Sequence, residues 1–504
     1  MMGAPQLLHD LLDRAAQHSP DNAALTYLDT TLTYRDLAAA SCRMARRLHD
    51  EGLGFGDRIL VQSANGLVIP LVVYAAARLG AAFSVLHEEV RGRPLEHVLQ
   101  DCVPTLLISD VTDAAQVGTR YRVGFLSAAE LLNSALDVNK EHTVPEPPAA
   151  GPITVDPVCL IYTSGTTDLP KAVVSTHQQV LFSTTAIQAC LNYRDSDIIY
   201  CPLPLSFDYA LYQLFLAPVN AAHVQLGTAG EAGPLLLRRL QETEATVLPA
   251  VPSIAEKLAW LLRRSSGNLP RLRLLTNTGA ALSDSTMAAL RHSLPQLSIQ
   301  VMYGLTECKR ATIMPPDGDL ERPGSCGLPL PGTDVFVMDD DSRRLPAGQI
   351  GQLVVRGLNV MAGYWRRSEL TEQRFYKREG LFPELRTGDY GWRDDDGYIY
   401  FVGRRDDIYK ERGFRLSTIE VEAAAHRVEG VISAAVLPPE GERLATLAVV
   451  ADISEQEVLR RMREQIEMFK IPRRCVRFDE LPANSNGKVD HSRLASLIET
   501  SMSV

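Results

Sequence analysis

The stretch Tyr162-Thr163-Ser164-Gly165-Thr166-Thr167-Asp168-Leu169-Pro170-Lys171 follows the apolar run Val158-Cys159-Leu160-Ile161. A strand-like run that leads into hydroxyls, a glycine and a lysine predicts a phosphate-binding loop, because backbone N–H groups, hydroxyls and an ammonium all donate to phosphate oxygens. The G-x-x-x-x-G-K-[ST] spacing of the P-loop is absent, so the loop is of another kind. Taken alone, the stretch is also compatible with a Ser/Thr-rich surface turn.

Size and composition restrict the classes of protein to consider. A chain of 504 residues is too long for one hydrophobic core, so we expect two or more domains. The net charge of −10 argues against a nucleic-acid partner, which needs a basic face. The eight cysteines lack metal-ligand spacing and indicate reduced thiols.

Two apolar segments bear on localisation. Leucines at positions 7, 8, 11 and 12 have the spacing of an amphipathic helix, and the N-terminal segment lacks the apolar core of a secretory signal. The apolar stretch 66–77 contains Pro70 and is shorter than the ~20 residues that a membrane span needs, so it predicts a buried helix. We therefore expect a cytoplasmic protein with no membrane partner.

The order of strand-like and helical patterns predicts the fold class. Strand-like runs alternate with helical patterns from about residue 23 to 130 and again through 180–300, which is typical of parallel α/β layers. Short alternating strands with glycine turns over 330–402 predict a small β-rich subdomain. Helix–strand units continue to the end. The expected fold is α/β, with a large N-terminal domain of layered α/β subdomains plus this β-rich subdomain, and a small α+β C-terminal domain.

Further motifs follow the phosphate loop in order along the chain: Met302-Tyr303-Gly304-Leu305-Thr306-Glu307, Arg386-Thr387-Gly388-Asp389, Gly403-Arg404-Arg405-Asp406 and Asn486-Gly487-Lys488. Together these motifs resemble the acyl-adenylate-forming enzymes, which include acyl-CoA synthetases, the adenylation domains of nonribosomal peptide synthetases, and firefly luciferase. The resemblance covers nearly the whole chain. It implies an N-terminal adenylation core at 1–404 and a mobile C-terminal domain at 405–504 that carries the catalytic lysine.

The resemblance also implies the catalytic residues and the cofactors, ATP and Mg²⁺. Lys488 would bridge the substrate carboxylate and the α-phosphate, Thr306 would contact the α-phosphate, and Glu307 would be the metal ligand. Without the resemblance, Lys488 and Glu307 are compatible with solvated surface charges.

The nucleotide-binding residues follow from the same motifs. Tyr303 would stack on adenine, Asp389 would accept the ribose hydroxyls, and Arg404 would contact ribose or phosphate. Asp168 and Ala172 stand where the family usually has glycines. The complete implied set is Thr163, Ser164, Gly165, Thr166, Thr167, Lys171, Gly279, Ala280, Ala281, Tyr303, Asp389 and Arg404.

Asp406 resembles the hinge residue of this family. Rotation of the C-terminal domain about it would withdraw Lys488 after adenylation and present the face around 410–415 to an incoming thiol, so that one site serves two half-reactions. A solvated charge in an Arg/Asp run is the alternative interpretation.

The segment Leu205-Ser206-Phe207-Asp208-Tyr209-Ala210-Leu211-Tyr212 aligns with the substrate pocket of amino-acid adenylation domains. Asp208 falls on the aspartate that pairs with the substrate α-ammonium. A carboxylate in an apolar pocket is costly unless a cation pairs with it, so Asp208 favours an amino acid over a fatty or aryl acid. A turn or cap role is the alternative. The other pocket candidates are Tyr209, Tyr212, Thr276, Thr278, Met302 and Arg310.

Several choices of substrate and acceptor stay open. The stretches 204–209 and 306–310 resemble freestanding L-proline ligases, and the charge of Arg310 would either recognise an acidic side chain or point away. We expect adenylation of L-proline or another small α-amino acid, then transfer to the phosphopantetheine thiol of a separate peptidyl carrier protein. The alternatives are an acyl-CoA ligase for a non-amino carboxylic acid, with CoA as acceptor, and a non-catalytic nucleotide-binding or scaffold protein. Asp168 favours the last alternative, whereas Lys488 and Glu307 weigh against it.

The substitution Lys488→Ala tests whether Lys488 serves adenylate formation but not transfer to the thiol. It is expected to abolish adenylate formation, because the bridging ammonium is lost, yet to leave transfer of a supplied aminoacyl-adenylate intact. ATP–pyrophosphate exchange measures the first step and loading of the acceptor thiol measures the second. Equal loss of both steps would refute the rotation about Asp406.

Overall fold

The computed structural model describes residues 4–64, 66–111, 113–137, 151–163, 170–265, 269–377, 382–404, 408–411, 414–440, 443–484 and 489–500. Helices and strands alternate along most of this length, which confirms the predicted α/β class. The predicted domain boundary at 404/405 stays a prediction, because residues 405–407 lie outside the described ranges.

The strands, in chain order, are β1 (Ala23–Tyr27), β2 (Thr30–Thr33), β3 (Arg58–Gln62), β4 (Ala82–Val85), β5 (Leu106–Ser109), β6 (Gly124–Ser127), β7 (Pro157–Thr163), β8 (Lys171–Thr176), β9 (Ile198–Cys201), β10 (His223–Leu226), β11 (Val247–Ala250), β12 (Leu274–Asn277), β13 (Ser298–Tyr303), β14 (Thr312–Ile313), β15 (Leu328–Pro329), β16 (Asp334–Met338), β17 (Gly351–Arg356), β18 (Gly363–Tyr364), β19 (Phe375–Tyr376), β20 (Glu384–Arg393), β21 (Ile399–Arg404), β22 (Ile408–Glu411), β23 (Phe414–Ser417), β24 (Val431–Leu437), β25 (Thr446–Ala451) and β26 (Arg474–Arg477).

The α-helices, in chain order, are α1 (His9–His18), α2 (Tyr34–Asp50), α3 (Val68–Leu79), α4 (Gly92–Cys102), α5 (Ala114–Tyr121), α6 (Ala128–Leu136), α7 (His177–Leu191), α8 (Asp208–Leu211), α9 (Gln213–Leu216), α10 (Leu236–Glu242), α11 (Pro252–Arg264), α12 (Asp284–Ser293), α13 (Ser368–Arg374), α14 (Thr418–His426), α15 (Glu455–Met462) and α16 (His491–Thr500).

The described strands form two large sheets and three small ones. The nine-stranded sheet has the order β15-β14-β13-β12-β11-β9-β10-β1-β2, and the seven-stranded sheet has the order β18-β8-β7-β4-β3-β5-β6. The predicted β-rich subdomain is a five-stranded sheet in which β16-β17-β20-β19 are neighbours and β21 pairs with β20. In the C-terminal part, β22 pairs with β23, and β24-β25-β26 form a separate sheet.

Local sequence signals explain where the N-terminal helices begin and end. Helix α2 begins with a capping box, in which the Thr33 Oγ1 atom accepts from the Asp36 N–H at 3.1 Å and Asp36 accepts from the Thr33 N–H. Helix α3 is buried along its whole length, as the apolar stretch predicts, with Pro70 in its first turn and Gly80 at φ +71° after its last residue. Among the described helices, none is both long and apolar enough to cross a membrane.

Parallel pairing brings the predicted site segments to one edge of the nine-stranded sheet. Strand β12 lies between β11 and β13, with Thr276 paired to both Pro249 and Gln300. The loops that follow β12 and β13 therefore leave the sheet side by side. These loops contain the segments 278–281 and 304–311, where many of the predicted site residues lie.

A buried carboxylate connects the opposite ends of the same strands. Asp197, just before β9, is 1% exposed. Its carboxylate accepts hydrogen bonds from Thr246 Oγ1 at 2.8 Å, from Arg273 Nε at 2.7 Å and from the Arg194 N–H at 2.7 Å. Burial alone would raise the pKa of Asp197, but these donors outweigh burial and the pKa is lowered. The cluster therefore holds the starts of β9, β11 and β12 together.

Asp197→Ala is expected to lower the free energy of unfolding by about 3 kcal/mol, because it leaves Arg273 and two other donors without their acceptor. Since the native pKa of Asp197 is lowered, its contribution is complete above the ordinary pKa and is lost as the pH falls through the native value. Thermal unfolding at pH 7 and at successively lower pH measures both effects. Asp341→Ala is the matched control, because Asp341 and its partner Arg343 are 73% and 77% exposed. Equal stability losses in the two variants would contradict the interpretation.

Candidate functional site

The strands that flank the predicted phosphate loop pair with each other. Strands β7 and β8 are antiparallel, with Thr163 paired to Lys171, and the Thr163 Oγ1 atom donates to the Lys171 carbonyl at 3.4 Å. The two ends of the loop therefore lie side by side. Ser164, Gly165, Thr166 and Thr167 lie outside the described residues, and so does Asp168.

Lys171 and Glu307 are brought together by a third side chain, Tyr364. The Lys171 Nζ atom lies 4.2 Å from the centroid of the Tyr364 ring, and the Tyr364 hydroxyl donates to Glu307 Oε1 at 2.6 Å. Glu307 is 9% exposed. Burial lowers the pKa of Lys171, and the nearby Glu307 carboxylate opposes this effect. The predicted phosphate-binding lysine and the predicted metal ligand thus belong to one site.

Sequence reasoning missed Tyr364. Strand β18 places it, because Tyr364 pairs with Val173 of β8, two residues after Lys171. Gly363 has φ +128°, and a Cβ atom there would lie 2.4 Å from Thr371 Cγ2, so a glycine is required. The sequence feature that could have indicated Tyr364 is a glycine followed directly by two aromatic residues, Tyr364 and Trp365.

A second polar group joins the nine-stranded sheet to the β-rich subdomain. The Tyr303 hydroxyl, at the end of β13, donates to Asp389 Oδ2 at 2.7 Å. Arg404 pairs with Asp389 across β20 and β21, and its Nε atom lies 3.3 Å from Asp389 Oδ1. Burial raises the pKa of Asp389, while Arg404 and Tyr303 oppose the rise. Within the described chain, Asp389 Oδ1 accepts no hydrogen bond, although it is buried.

The residues predicted to line adenine lie in the loop after β12. Gly279 has φ +95°, a conformation that favours glycine, and Ala280 and Ala281 are exposed. Thr306 is half-buried in the loop after β13. Their contacts with a nucleotide stay predictions.

Five of the predicted pocket residues form one buried group with Lys309. Asp208 begins α8 and is 7% exposed, and Lys309 Nζ lies 4.0 Å from its Oδ2 atom. The Arg310 guanidinium carbon lies 4.6 Å from the centroid of Tyr209, and Lys309 Nζ lies 5.7 Å from that of Tyr212. The group, called the pocket cluster below, consists of Asp208, Tyr209, Tyr212, Thr276, Lys309 and Arg310.

Tyr209 is anchored at the base of the pocket cluster. Its hydroxyl donates to the Thr276 carbonyl at 2.9 Å and lies 2.5 Å from Thr276 Oγ1. Because these bonds satisfy the phenol in the protein interior, Tyr209 supports the pocket cluster through packing. Met302 packs in the main hydrophobic core, and Thr278 is buried just after β12. Their roles toward a substrate stay predictions.

Lys309 is the second residue that sequence reasoning missed. It is 1% exposed, and its backbone has φ +61°, which is uncommon for a residue other than glycine. Burial lowers the pKa of Lys309, and Asp208 opposes this effect. The sequence feature that could have indicated Lys309 is its position directly before a second cation, Arg310, in a mostly apolar segment. The predicted catalytic Lys488 and hinge Asp406 lie outside the described residues.

Comparison with known proteins assigns the family. The model of the AMP-binding enzyme family matches residues 12–365, and that of the AMP-binding enzyme C-terminal domain matches residues 420–488. The chain therefore belongs to the AMP-binding enzyme family, and the resemblance carried by the ordered motifs is confirmed.

Curated relatives include peptide synthases. One plipastatin synthase polypeptide from Bacillus subtilis (strain 168) is 27% identical over 503 residues, which cover 97% of this chain and 14% of that protein. Tyrocidine synthase 2 from Brevibacillus parabrevis is 26% identical over 504 residues, with the same coverage of 97% and 14%. The chain thus spans 14% of the length of each of these two relatives.

Solved structures share the fold over 80% or more of the chain. O-succinylbenzoate coenzyme A synthetase (MenE) from Bacillus subtilis, in complex with ATP and magnesium, is 25% identical with a TM-score of 0.82, covering 96% of this chain and 99% of MenE. VinN is 36% identical with a TM-score of 0.73, covering 80% of this chain and 100% of VinN. VinN has also been crystallised with L-aspartate.

Gly304→Ala tests the close packing on which the site depends. A Cβ atom at Gly304 would lie 2.3 Å from the Lys309 carbonyl oxygen and 2.8 Å from Arg310 Cα, so the backbone would have to shift. We expect a stability loss of about 1–3 kcal/mol, measured by thermal unfolding, and weaker ATP binding, measured by calorimetry. Gly230→Ala is the control, because a Cβ atom there meets nothing within 4 Å. A Gly304→Ala protein that behaves like the control would contradict the packing argument.

Proposed function

We propose that this protein activates the carboxylate of an amino acid with ATP. The products of this step are an aminoacyl-AMP and pyrophosphate, and the aminoacyl group then passes to the phosphopantetheine thiol of a separate carrier protein. The observation that carries the proposal is the buried carboxylate of Asp208 at the start of α8. Lys309 Nζ, at 4.0 Å, is too far to donate a hydrogen bond to this carboxylate, so a substrate ammonium can supply the hydrogen-bonded cation that a buried carboxylate needs.

The polar residues around β8, β13 and β20 fit ATP as the second substrate. Lys171 supplies a cation at the end of the predicted phosphate loop. Asp389 Oδ1, which has an ion-pair contact with Arg404 but accepts no hydrogen bond within the described chain, suits a ribose hydroxyl. Glu307 accepts from Tyr364 through Oε1, which leaves Oε2 to ligate magnesium. When bound, magnesium supplies positive charge to the phosphate oxygens.

In this proposal the chain's own residues position the reactants. Tyr364 orients the Glu307 carboxylate, and Tyr303 with Arg404 orients Asp389. Lys171 neutralises phosphate charge, while Asp208 holds the amino group so that the carboxylate points toward the nucleotide. Lys488 as the bridging cation and Asp406 as the hinge belong to the proposal on the sequence resemblance alone.

The identity of the acid rests on the pocket cluster and on the relatives. The complex of VinN with L-aspartate supports an amino-acid substrate, since VinN is 36% identical to this chain. L-Proline, the best sequence-based prediction, stays a prediction. So does the cytoplasmic location.

A second candidate function is an acyl-CoA ligase, with CoA as the acceptor and a non-amino acid as the substrate. The observation that favours it is the similarity to MenE, a coenzyme A synthetase, over 96% of this chain. The peptide synthase relatives favour the carrier-protein route instead. Thioester formation with CoA, compared with loading of a phosphopantetheinylated carrier protein, distinguishes the two candidates.

Asp208→Asn tests the proposed recognition of an amino group. It keeps the shape of the side chain and removes its charge, so we expect kcat/KM in amino-acid-dependent ATP–pyrophosphate exchange to fall by roughly 100-fold or more, with ATP binding retained. The exchange is measured over all proteinogenic amino acids and over short, aryl and fatty acids.

The control for Asp208→Asn is Asp195→Asn, because Asp195 is exposed just before β9. Unchanged exchange in Asp208→Asn would contradict the assignment of Asp208. Exchange of the native protein with non-amino acids alone would favour the acyl-CoA ligase.

A further inference from the structure

Two cations of the pocket cluster are buried without enough acceptors. Lys309 and Arg310 are 1% and 6% exposed. Within the described chain, Lys309 Nζ and Arg310 Nε make no hydrogen bond. The carboxylate of Asp208 lies 4.0 Å from Lys309 Nζ, which is an ion-pair contact but is too long for a hydrogen bond.

The remaining contacts of these cations only partly compensate for burial. One guanidinium nitrogen of Arg310, Nη1, donates to the Lys309 carbonyl at 2.8 Å. The Tyr209 and Tyr212 rings face Arg310 and Lys309 at 4.6 Å and 5.7 Å. Aromatic faces attract cations but do not replace a hydrogen-bond acceptor for an N–H group. Lys309 therefore has an ion-pair contact with Asp208 but no hydrogen bond, and both Lys309 and Arg310 keep unused donors within the described chain.

The backbone is shaped to hold these two cations in place. Lys309 has φ +61°, and the absence of a side chain at Gly304 allows the 309–310 backbone to pack against the end of β13. A non-glycine residue in the left-handed region is strained relative to the ordinary backbone conformations. This backbone strain and the burial of two cations both lower the stability of the protein unless a bound group compensates for them. We therefore interpret the region around Lys309 and Arg310 as a ligand site.

We infer that the substrate carries a second carboxylate, bound by Lys309 and Arg310 beside the Asp208 subsite. This inference rests on the proposed function and deepens it, since the substrate class becomes the amino dicarboxylic acids. A carboxylate suits the planar donor fork of Arg310 and the ammonium of Lys309, which makes no hydrogen bond within the described chain. Asp208 then has the substrate ammonium as a partner in addition to Lys309.

A substrate panel tests the inference and separates it from the proposed function. ATP–pyrophosphate exchange is measured with L-aspartate and L-glutamate, their amides L-asparagine and L-glutamine, the other proteinogenic amino acids, and succinate. We expect one amino dicarboxylate to exceed its own amide by roughly 100-fold or more in kcat/KM, because the neutral amide does not supply the negative charge that the two buried cations would bind.

Each other outcome has a definite meaning. If a neutral amino acid such as L-proline matches or exceeds the dicarboxylates, the inference is overturned and the proposed function stands. If succinate is active and the amino dicarboxylates are silent, the second-carboxylate subsite is supported and the amino-acid function fails. Silence with every compound contradicts both.

Substitutions of Lys309 and Arg310 test whether these two residues bind the second carboxylate. Arg310→Met and Lys309→Met are expected to lower the ratio of dicarboxylate to amide activity by roughly 10-fold or more each, and Arg310→Lys is expected to restore part of it. The ratio within one preparation is independent of the folded fraction, so poor folding does not obscure the result. Lys257→Met, on the exposed face of α11, is the control. An unchanged ratio in both Met variants would overturn the assignment.

Discussion

The hydrogen bond from Tyr303 to Asp389 joins the two parts of the molecule on which the site depends. Tyr303 ends β13 of the nine-stranded sheet, and Asp389 lies in β20 of the β-rich subdomain. Around this bond, side chains from both parts pack into a shared apolar core that also contains Val173 and Tyr364. The loop after β13 is thereby held between two sheets, and the positions of Glu307, Lys309 and Arg310 follow from that.

Charge compensation explains the arrangement of the polar residues. Each buried carboxylate of the site has a named neighbour: Tyr364 for Glu307, Tyr303 and Arg404 for Asp389, and Lys309 for Asp208. At the other end of the same strands, Asp197 is fully bonded by donors from the chain. Asp197 is satisfied internally, whereas Asp389 Oδ1 accepts no hydrogen bond within the described chain. This contrast distinguishes a carboxylate that stabilises the fold from one that we propose binds a ligand.

Much of the fold could be predicted from the sequence because its elements are short and their signals are local. The buried helix predicted from the apolar stretch 66–77 corresponds to α3 (Val68–Leu79), and the β-rich subdomain predicted over 330–402 corresponds to the five-stranded sheet. Tyr364 and Lys309 were not predicted because their roles depend on contacts with segments that are distant in the sequence. Tyr364 reaches Glu307 only through the pairing of β18 with β8, and no local pattern encodes that pairing.

The missing side chain at Gly304 has a consequence for how this site can change. Because the 309–310 backbone packs directly on Gly304, the backbone conformation of this segment can change little. In the proposed second-carboxylate subsite, a change of selectivity would therefore come from different side chains at 309 and 310 on an unchanged main chain, and not from a different loop conformation. An engineer would vary the chemistry at these two positions and leave the glycine untouched.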